Sequence, residues 1–437
     1  MERLHQWKMA LNQAANLSGH HFSSGYEYNF FNKKFGNIKV LKFDNCEYLR
    51  EISDVSCLPN LENFSFENCE NLVTIHNSIG LLNKLEFLNG SGCIKLKSFP
   101  PLNLVSLKKL ILSHWGCAMS RLPSFIFKMP KFSSIWLQNF YHCIMPSWKH
   151  PLTSSDVKWV YLYESNLSDE CLPIVVTWFT NEAALNLVGS NFEILPKCLK
   201  EHRSLWELEL FNCMSLKKIR GVRLNIVILS ASNCKSLNFS SRSMLVNQEL
   251  LNEGRKTNFC FPARGSERIP EWFEHQSIGP TRISFWFRNK IPSIALFFST
   301  KWVCNHEEKL QLRVNLFING HKYTFSLKEF ISVSLLETNH IYLIYLDLDG
   351  LVRRSEDYEK LESKLEEAIL KKEWIHMELK LESYWKSEDD SDEMMKSLRA
   401  KFGIHVLKEE NNLEDVEFTN PYKKRKSYEH LRLLVSA

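Results

Sequence analysis

The sequence predicts two architectures in series, an α/β solenoid of short repeats followed by an all-β sandwich. Three observations predict them. Cysteines recur at a near-constant interval through the first half. Each of those cysteines closes the same apolar frame. Past residue 258 that frame gives way to aromatic and β-branched runs of strand length.

Cys46, Cys69 and Cys93 are 23 and 24 residues apart, and Cys213 and Cys234 are 21 apart. Each stands at the ninth position of one pattern. Leu61-x-x-Phe64-x-Phe66-x-x-Cys69-x-x-Leu72 and Leu205-x-x-Leu208-x-Leu210-x-x-Cys213-x-x-Leu216 are two copies. Ile38 to Leu49 and Ile226 to Leu237 are two more. Degenerate copies start at Leu85, Leu107, Phe132, Val157 and Glu182. All nine starts are then 21 to 25 residues apart. This is the leucine-rich repeat pattern, whose period is 20–29 residues. Alternating apolar residues make a short strand with one buried face, and the cysteine position turns the chain beneath it. A segment such as Leu72 to Ile75 then returns on the other side. One repeat cannot bury its own face, so neighbours stack. Repeats five to seven carry Phe140, Ser165 and Ser190 in place of Cys. The cysteines read as small buried hydrophobes with weak S–H donors, and no CxxC pair points to a metal.

The fifth position of each strand faces away from the core. Through the array it reads Lys42, Ser65, Asn89, Ile111, Trp136, Tyr161, Asn186, Glu209 and Ser230. Polar ends flank an apolar centre, to which neighbouring positions add Trp159 and Tyr163. Aromatic side chains on an outward face are enriched at interfaces. Ile111, Trp136, Trp159, Tyr161 and Tyr163 are therefore candidate partner-binding residues. The alternative is a shifted register in the degenerate repeats, which would bury them.

The domain organisation expected is a helical segment at 1–30, repeats at 31–245, a polar linker at 246–257, a β-sandwich at 258–410 and a polar tail at 411–437. Leu4, Trp7, Leu11 and Ala14 recur at helical spacing before Ser18-Gly19. The sandwich is read from runs such as Arg282 to Phe287, Ser293 to Phe298, Leu310 to Ile318, His340 to Leu346 and Trp374 to Leu381. Asn319-Gly320 is a hairpin signal. Residues 356–372 interrupt these runs as a surface helix, with Leu361, Leu365 and Ile369 on one face. Lys423-Lys-Arg-Lys426 is a solvated tail or a nuclear address.

Composition sets the class. The chain has 437 residues, enough for two or three domains of roughly 150 residues. A net charge of +5 from 55 basic and 50 acidic side chains gives no reason to invoke a specific nucleic acid. The first residues lack an apolar signal core, and no apolar run approaches about 20 residues, so no membrane partner is expected. Twelve cysteines in 437 residues are too dilute for a small disulfide scaffold, which leaves a reducing compartment.

No motif of the sequence carries a recognisable chemistry. His306 to Leu310 is not HExxH, because Leu310 stands at the second histidine position. Cys304 and His306 have no evident orienting third group. Glu388 to Glu393 lacks the calcium-loop pattern and its glycine. No GxxxxGK[ST] occurs, and Gly254-Arg-Lys-Thr257 fails it at two positions. No cofactor, metal or catalytic residue is expected.

Three stretches together resemble the plant TIR–NBS–LRR disease-resistance receptors. Arg268-Ile-Pro-Glu-Trp-Phe273, His275-Gln-Ser277 and Ile283 to Phe287 look like the family's post-LRR, C-terminal jelly-roll/Ig-like domain. Trp374 to Glu378 and Gly403 to Val406 look like its closing strands. The repeat wording also matches, as in Leu58-Pro-Asn-Leu-Glu62 and Ala231-Ser-Asn-Cys234. Trp7 to Gly19 resembles the last helix of a TIR domain. The resemblance implies an α/β leucine-rich-repeat solenoid followed by an all-β jelly-roll/Ig-like sandwich, acting in the cytoplasm or nucleus. It implies the recognition half of an immune receptor that binds a pathogen effector or a host protein. Trp272, Phe273 and His275 would contribute contacts or else seal the end of the repeats. The nucleotide-binding domain expected before the repeats is not found, so the chain reads as a truncated receptor. The alternatives are a decoy that binds a full-length receptor and regulates its NAD cleavage, or a fragment without function.

Overall fold

A computed structural model describes residues 37–97, 99–100, 102–112, 131, 133–138, 157–178, 182–220, 222, 226–246, 258–263, 268–279, 282–300, 310–326, 340–354, 362–385, 394–396, 400–407 and 413–422. The expected helix within 1–30, the linker beyond Val246, Phe140, Cys304, His306, the run Glu388 to Glu393 and Lys423 to Lys426 lie outside these residues. The chain forms two compact units, Met1–Arg223 and Leu224–Ala437.

In the first unit, eight short strands pair in parallel. They are β1 (Val40–Lys42), β3 (Asn63–Ser65), β5 (Phe87–Asn89), β6 (Lys109–Leu112), β7 (Ser134–Gln138), β8 (Trp159–Tyr163), β9 (Ala184–Asn186) and β10 (Glu207–Glu209). The fourth position of the sequence frame forms one inward row: Leu41, Phe64, Leu88, Leu110, Ile135, Val160, Leu185 and Leu208 stand in register and are all buried. The returning segments carry β2 (Glu51–Ile52), paired in parallel with β4 (Thr74–Ile75). They also carry 3-10 turns at Asn77–Leu81 and Lys197–Glu201 and the helix Cys171–Trp178.

The cysteine turn has a physical rationale in two parts. The residue before it takes a left-handed backbone, with φ of 61° at Asn45, 56° at Asn68, 73° at Gly92 and 62° at Asn212. Asn and Gly tolerate that conformation better than other residues. The thiol then reaches back one repeat. Cys69 Sγ donates to Phe43 O at 3.1 Å, Cys93 Sγ to Phe66 O at 3.2 Å and Cys213 Sγ to Leu187 O at 3.2 Å. Burial pushes the Cys69 and Cys93 thiols up to about 12, so they stay protonated and unreactive at neutral pH. In the degenerate repeats Glu164 (φ 49°) and Gly189 (φ 67°) occupy the left-handed position, and buried Ser165 and Ser190 stand where the thiol would.

The second unit begins before the repeats end. β11 (Ile228–Ser230) belongs to the ninth repeat and pairs in parallel with β12 (Asn258–Pro262), Ser230 opposite Cys260. Cys260 lies within β12, its Sγ 2.9 Å from Ser232 Oγ. On its other edge β12 pairs antiparallel with β18 (His340–Asp347). One strand therefore serves both ladders. The division at Arg223–Leu224 lies earlier than the 245–258 boundary read from composition, because hydrogen bonding continues across the polar gap.

Two antiparallel layers follow. One runs β12, β18, β15 (Ser293–Thr300), β21 (Ala400–Val406) and β13 (His275–Gly279). The other runs β17 (His321–Ser326), β16 (Leu310–Ile318), β19 (Ile375–Trp385), β14 (Arg282–Phe287) and β22 (Val416–Glu417), with β20 (Met394–Lys396) on β19. Their alternate residues, including Phe285, Phe298, Leu316, Tyr342, Leu379 and Phe402, interlock in one core, as a β-sandwich requires. Asn319 and Gly320 both have positive φ and close the β16–β17 hairpin as predicted. The surface helix is Glu362–Leu370, with Leu365 buried and Ile369 packed on the core. The sandwich extends beyond residue 410. β22 pairs with β14, Arg288 Nε lies 2.9 Å from Asp415 Oδ1, and Phe418 packs on the core. A two-residue strand is too short to show a period.

Candidate partner-binding face

The strand register aligns the fifth positions into one row. Lys42, Ser65, Asn89, Ile111, Trp136, Tyr161, Asn186 and Glu209 are successive partners across eight strands. A period of two places this row opposite the buried one.

The first part of the row is polar and internally bonded. Ser65 Oγ donates to Asp44 Oδ1, and Asn89 Nδ2 donates to Glu67 Oε2 at 3.0 Å. Asn89 Oδ1 accepts from the Ser91 backbone at 3.1 Å and from its hydroxyl. Ser65 and Asn89 are buried by this network.

The centre is built of rings. Ile111, Trp136, Trp159, Tyr161 and Tyr163 are half-buried. The Trp136 and Tyr161 centroids are 4.1 Å apart, and those of Tyr161 and Tyr163 are 6.0 Å apart with planes 13° from parallel. Trp136 Nε1 donates to Ser134 Oγ at 3.1 Å, which satisfies its one polar atom. Lys109 Nζ lies 4.8 Å from the Trp136 centroid, within cation–π range. Trp159 meets Trp206 edge-on at 6.0 Å. Trp206 stands at the second position of its frame, which the outward alternation of positions three, five and seven does not include. Burial raises the Tyr161 phenol, with a smaller push from Glu207. Burial pushes Tyr163 up to about 12, with help from Tyr161, Glu209 and Glu207.

A buried acid also interrupts the apolar pattern of the repeats. Glu182 holds the first, normally apolar, position of the seventh repeat and is fully buried. Its Oε1 abuts His202 Nδ1, and His202 is buried as well. Burial raises the Glu182 carboxyl, and the His202 contact opposes that shift.

The three candidates in the second unit have different fates. Phe273 is only 2% exposed and packs on Phe297 at 5.6 Å. A Cβ on Gly403 would come within 3.2 Å of it, so the bare glycine admits the ring. Phe273 is thus a core residue, not a contact residue. A loop before β13 leaves no periodic mark, so the sequence alone does not choose between contact and burial here. Trp272 is half-buried, stacks on Phe273 at 4.0 Å and donates Nε1 to Val246 O at 3.0 Å. His275 stacks on Phe418 at 5.3 Å, and burial lowers its pKa. Among the described residues no group of three or more His, Cys, Asp or Glu side chains could hold a metal.

Parallel repeats with cysteine turns, an open aromatic row and a following sandwich define a leucine-rich-repeat protein with an all-β C-terminal domain. Its homologues are plant TIR–NBS–LRR disease-resistance proteins. The chain is 25% identical over 270 residues to disease resistance protein RPS4B of Arabidopsis thaliana, matching 60% of this chain and 21% of that protein. It is 43% identical over 83 residues to disease resistance protein RPP4 of Arabidopsis thaliana, covering 19% of this chain and 7% of that one. It is 30% identical over 156 residues to TMV resistance protein N of Nicotiana glutinosa, covering 35% and 13%. The chain therefore spans about a fifth or less of the length of these relatives. No family model matches the chain.

Proposed function

We propose that this chain is the recognition part of a plant immune receptor. It binds a pathogen effector, or a host protein that an effector alters, through the ring row centred on Trp136, Tyr161 and Tyr163. It does so in the cytoplasm or nucleus without chemistry of its own. The observation that carries this reading is the half-exposed, contiguous set of rings in a sheet whose other described fifth-position side chains from Ser65 onward are mostly buried. Rings of this kind present large area at little entropic cost, and they dominate protein interfaces. The resistance-protein homologues supply the setting.

The test is capture of candidate effector and host proteins by the full chain, with Trp136→Ala and Tyr161→Ala in parallel. Both variants should lose the bound protein while Lys39→Ala, on an exposed lysine outside the row, retains it. Retention by both ring variants overturns the reading.

A further inference from the structure

The third strand position of the repeats also faces outward, and at Lys109 it carries a charge that the solenoid does not pair. β6 alternates half-buried Lys109 and Ile111 with buried Leu110 and Leu112. Its register sets Lys109 beside Phe87 of the preceding repeat and Ser134 of the next. Lys109 Nζ lies 5.8 Å from the Phe87 centroid and 4.8 Å from the Trp136 centroid, so the ammonium itself, and not only its alkyl stem, rests on two rings. Lysines at the second position are held differently. Lys108 Nζ lies 2.7 Å from Glu86 Oε2, and Lys39 Nζ lies 2.8 Å from Glu62 Oε1, each carboxylate coming from the adjoining repeat. Among the described residues the Lys109 ammonium has no such carboxylate, and the hydroxyl of Ser134 beside it already accepts from Trp136.

Ring faces attract a cation without supplying the oxygen acceptors that an ammonium's three N–H donors require. Water supplies those acceptors on a free surface. A partner that covers the rings displaces that water, and the half-buried charge is then costly unless the partner brings an acceptor of its own. The surrounding charges leave room for an anion. Within the third-position column the next carboxylate is Glu207, beyond Ser134, Trp159 and Ala184. Four strands at roughly 4.8 Å each put it about 19 Å away, well past a Debye length of about 8 Å. Asp44 and Glu67, at the polar end of the face, are held by Ser65 and Asn89. We propose that Lys109, resting between Phe87 and Trp136, seats an aspartate or glutamate side chain of the partner polypeptide. This rests on the reading that the ring row binds a polypeptide, and it names the chemistry at one point of that contact. The rings supply area, while Lys109 fixes register and favours an acidic segment over a neutral one.

The probe is a fluorescein-labelled Gly-Glu repeat peptide, compared with the same peptide bearing glutamine, which keeps the size and loses the charge. Binding to the full chain is followed by fluorescence anisotropy. The glutamate peptide should bind about tenfold more tightly than the glutamine peptide. Lys109→Met, which keeps a stem over the rings, should remove most of that preference, and Lys109→Arg should recover it. Lys108→Met is the control. It takes one charge from the same +5 chain, at a lysine already paired with Glu86, and should leave the preference intact. Near-UV circular dichroism checks that each variant is folded. Equal binding of the two peptides overturns the proposal. So does an equal loss in Lys108→Met and Lys109→Met, which marks bulk charge in place of a seat. The two readings fail separately. A partner protein lost on Trp136→Ala but held undiminished by Lys109→Met overturns the carboxylate seat and leaves recognition standing. A partner protein held by both Trp136→Ala and Tyr161→Ala, with a glutamate preference that still depends on Lys109, does the reverse.

Discussion

Asn89 and Trp136 occupy equivalent places two strands apart in one row, yet they are held by opposite means. Around Asn89 the ties are hydrogen bonds, Ser65 to Asp44 and Asn89 to Glu67 between repeats and Ser91 to Asn89 within one. Around Trp136 the ties are ring contacts and one lysine. Hydrogen-bonded polar groups lose their partners if a ligand displaces them, so such a surface is already committed to the fold. Rings that cover one another only in part gain by further burial, at roughly 25 cal/mol per Å² of apolar area. The difference separates a stretch of the sheet that stabilises the solenoid from one that is available to a partner.

The largest test addresses the core that both regions share. Phe66 is fully buried and touches Phe64 edge-on at 5.3 Å. Phe66→Ala should cost about 3–5 kcal/mol in denaturant unfolding, whichever surface lies above it. A loss below about 1 kcal/mol would mean that the first repeats do not form a continuous core.

The next test concerns the buried acid–histidine pair Glu182 and His202. Replacing a buried pair with apolar residues is often stabilising by about 1–4 kcal/mol, because desolvation of both groups is avoided. Glu182→Leu with His202→Leu should therefore raise stability. The pH dependence has a definite sign. The fold raises the Glu182 pKa above its unfolded value, so its favourable contribution is complete below the unfolded pKa and is lost as pH rises through the folded one. The advantage of the double variant should widen with rising pH across that window. A variant that is less stable than the parent at every pH would show that the pair is a net contributor.

How much of this was legible in the sequence differs between the two regions. The frame located each inward residue of the row from Leu41 to Leu208, because a period-two strand repeated nine times leaves an unambiguous record. The same frame placed Ile111, Trp136 and Tyr161 in register even where Cys was replaced. It could not show that Asn89 is bonded to the preceding repeat while the Trp136 side chain bonds within its own strand, since hydrogen bonds between repeats depend on side chains about 22 residues away, such as Glu67. Nor could it show β12 joining two ladders. Asn258–Pro262 carries no leucine frame, and its parallel partner is read only from three dimensions. Glu182 sat openly at an apolar position, but His202, 20 residues on, gave no sign of being its partner.

The smallest effects on stability separate the two regions most sharply. Asn89→Ala removes the acceptor for the Ser91 amide and hydroxyl and the donor to Glu67. Leaving such groups unpaired should cost about 1–3 kcal/mol. Trp136→Ala removes ring contacts from a half-exposed site whose only polar bond is to Ser134, within its own strand. It should cost about 1 kcal/mol or less, the scale of an aromatic pair. Partner binding should run in the opposite order, with Trp136→Ala losing a hot-spot contribution of about 2 kcal/mol or more and Asn89→Ala nearly none. Thermal melts and binding isotherms on the same two variants give four numbers. If stability and binding fall together in both, the row is one surface and the division between a bonded and an available stretch is wrong. If they cross, the rings are spared from holding the solenoid together because they are used for something else.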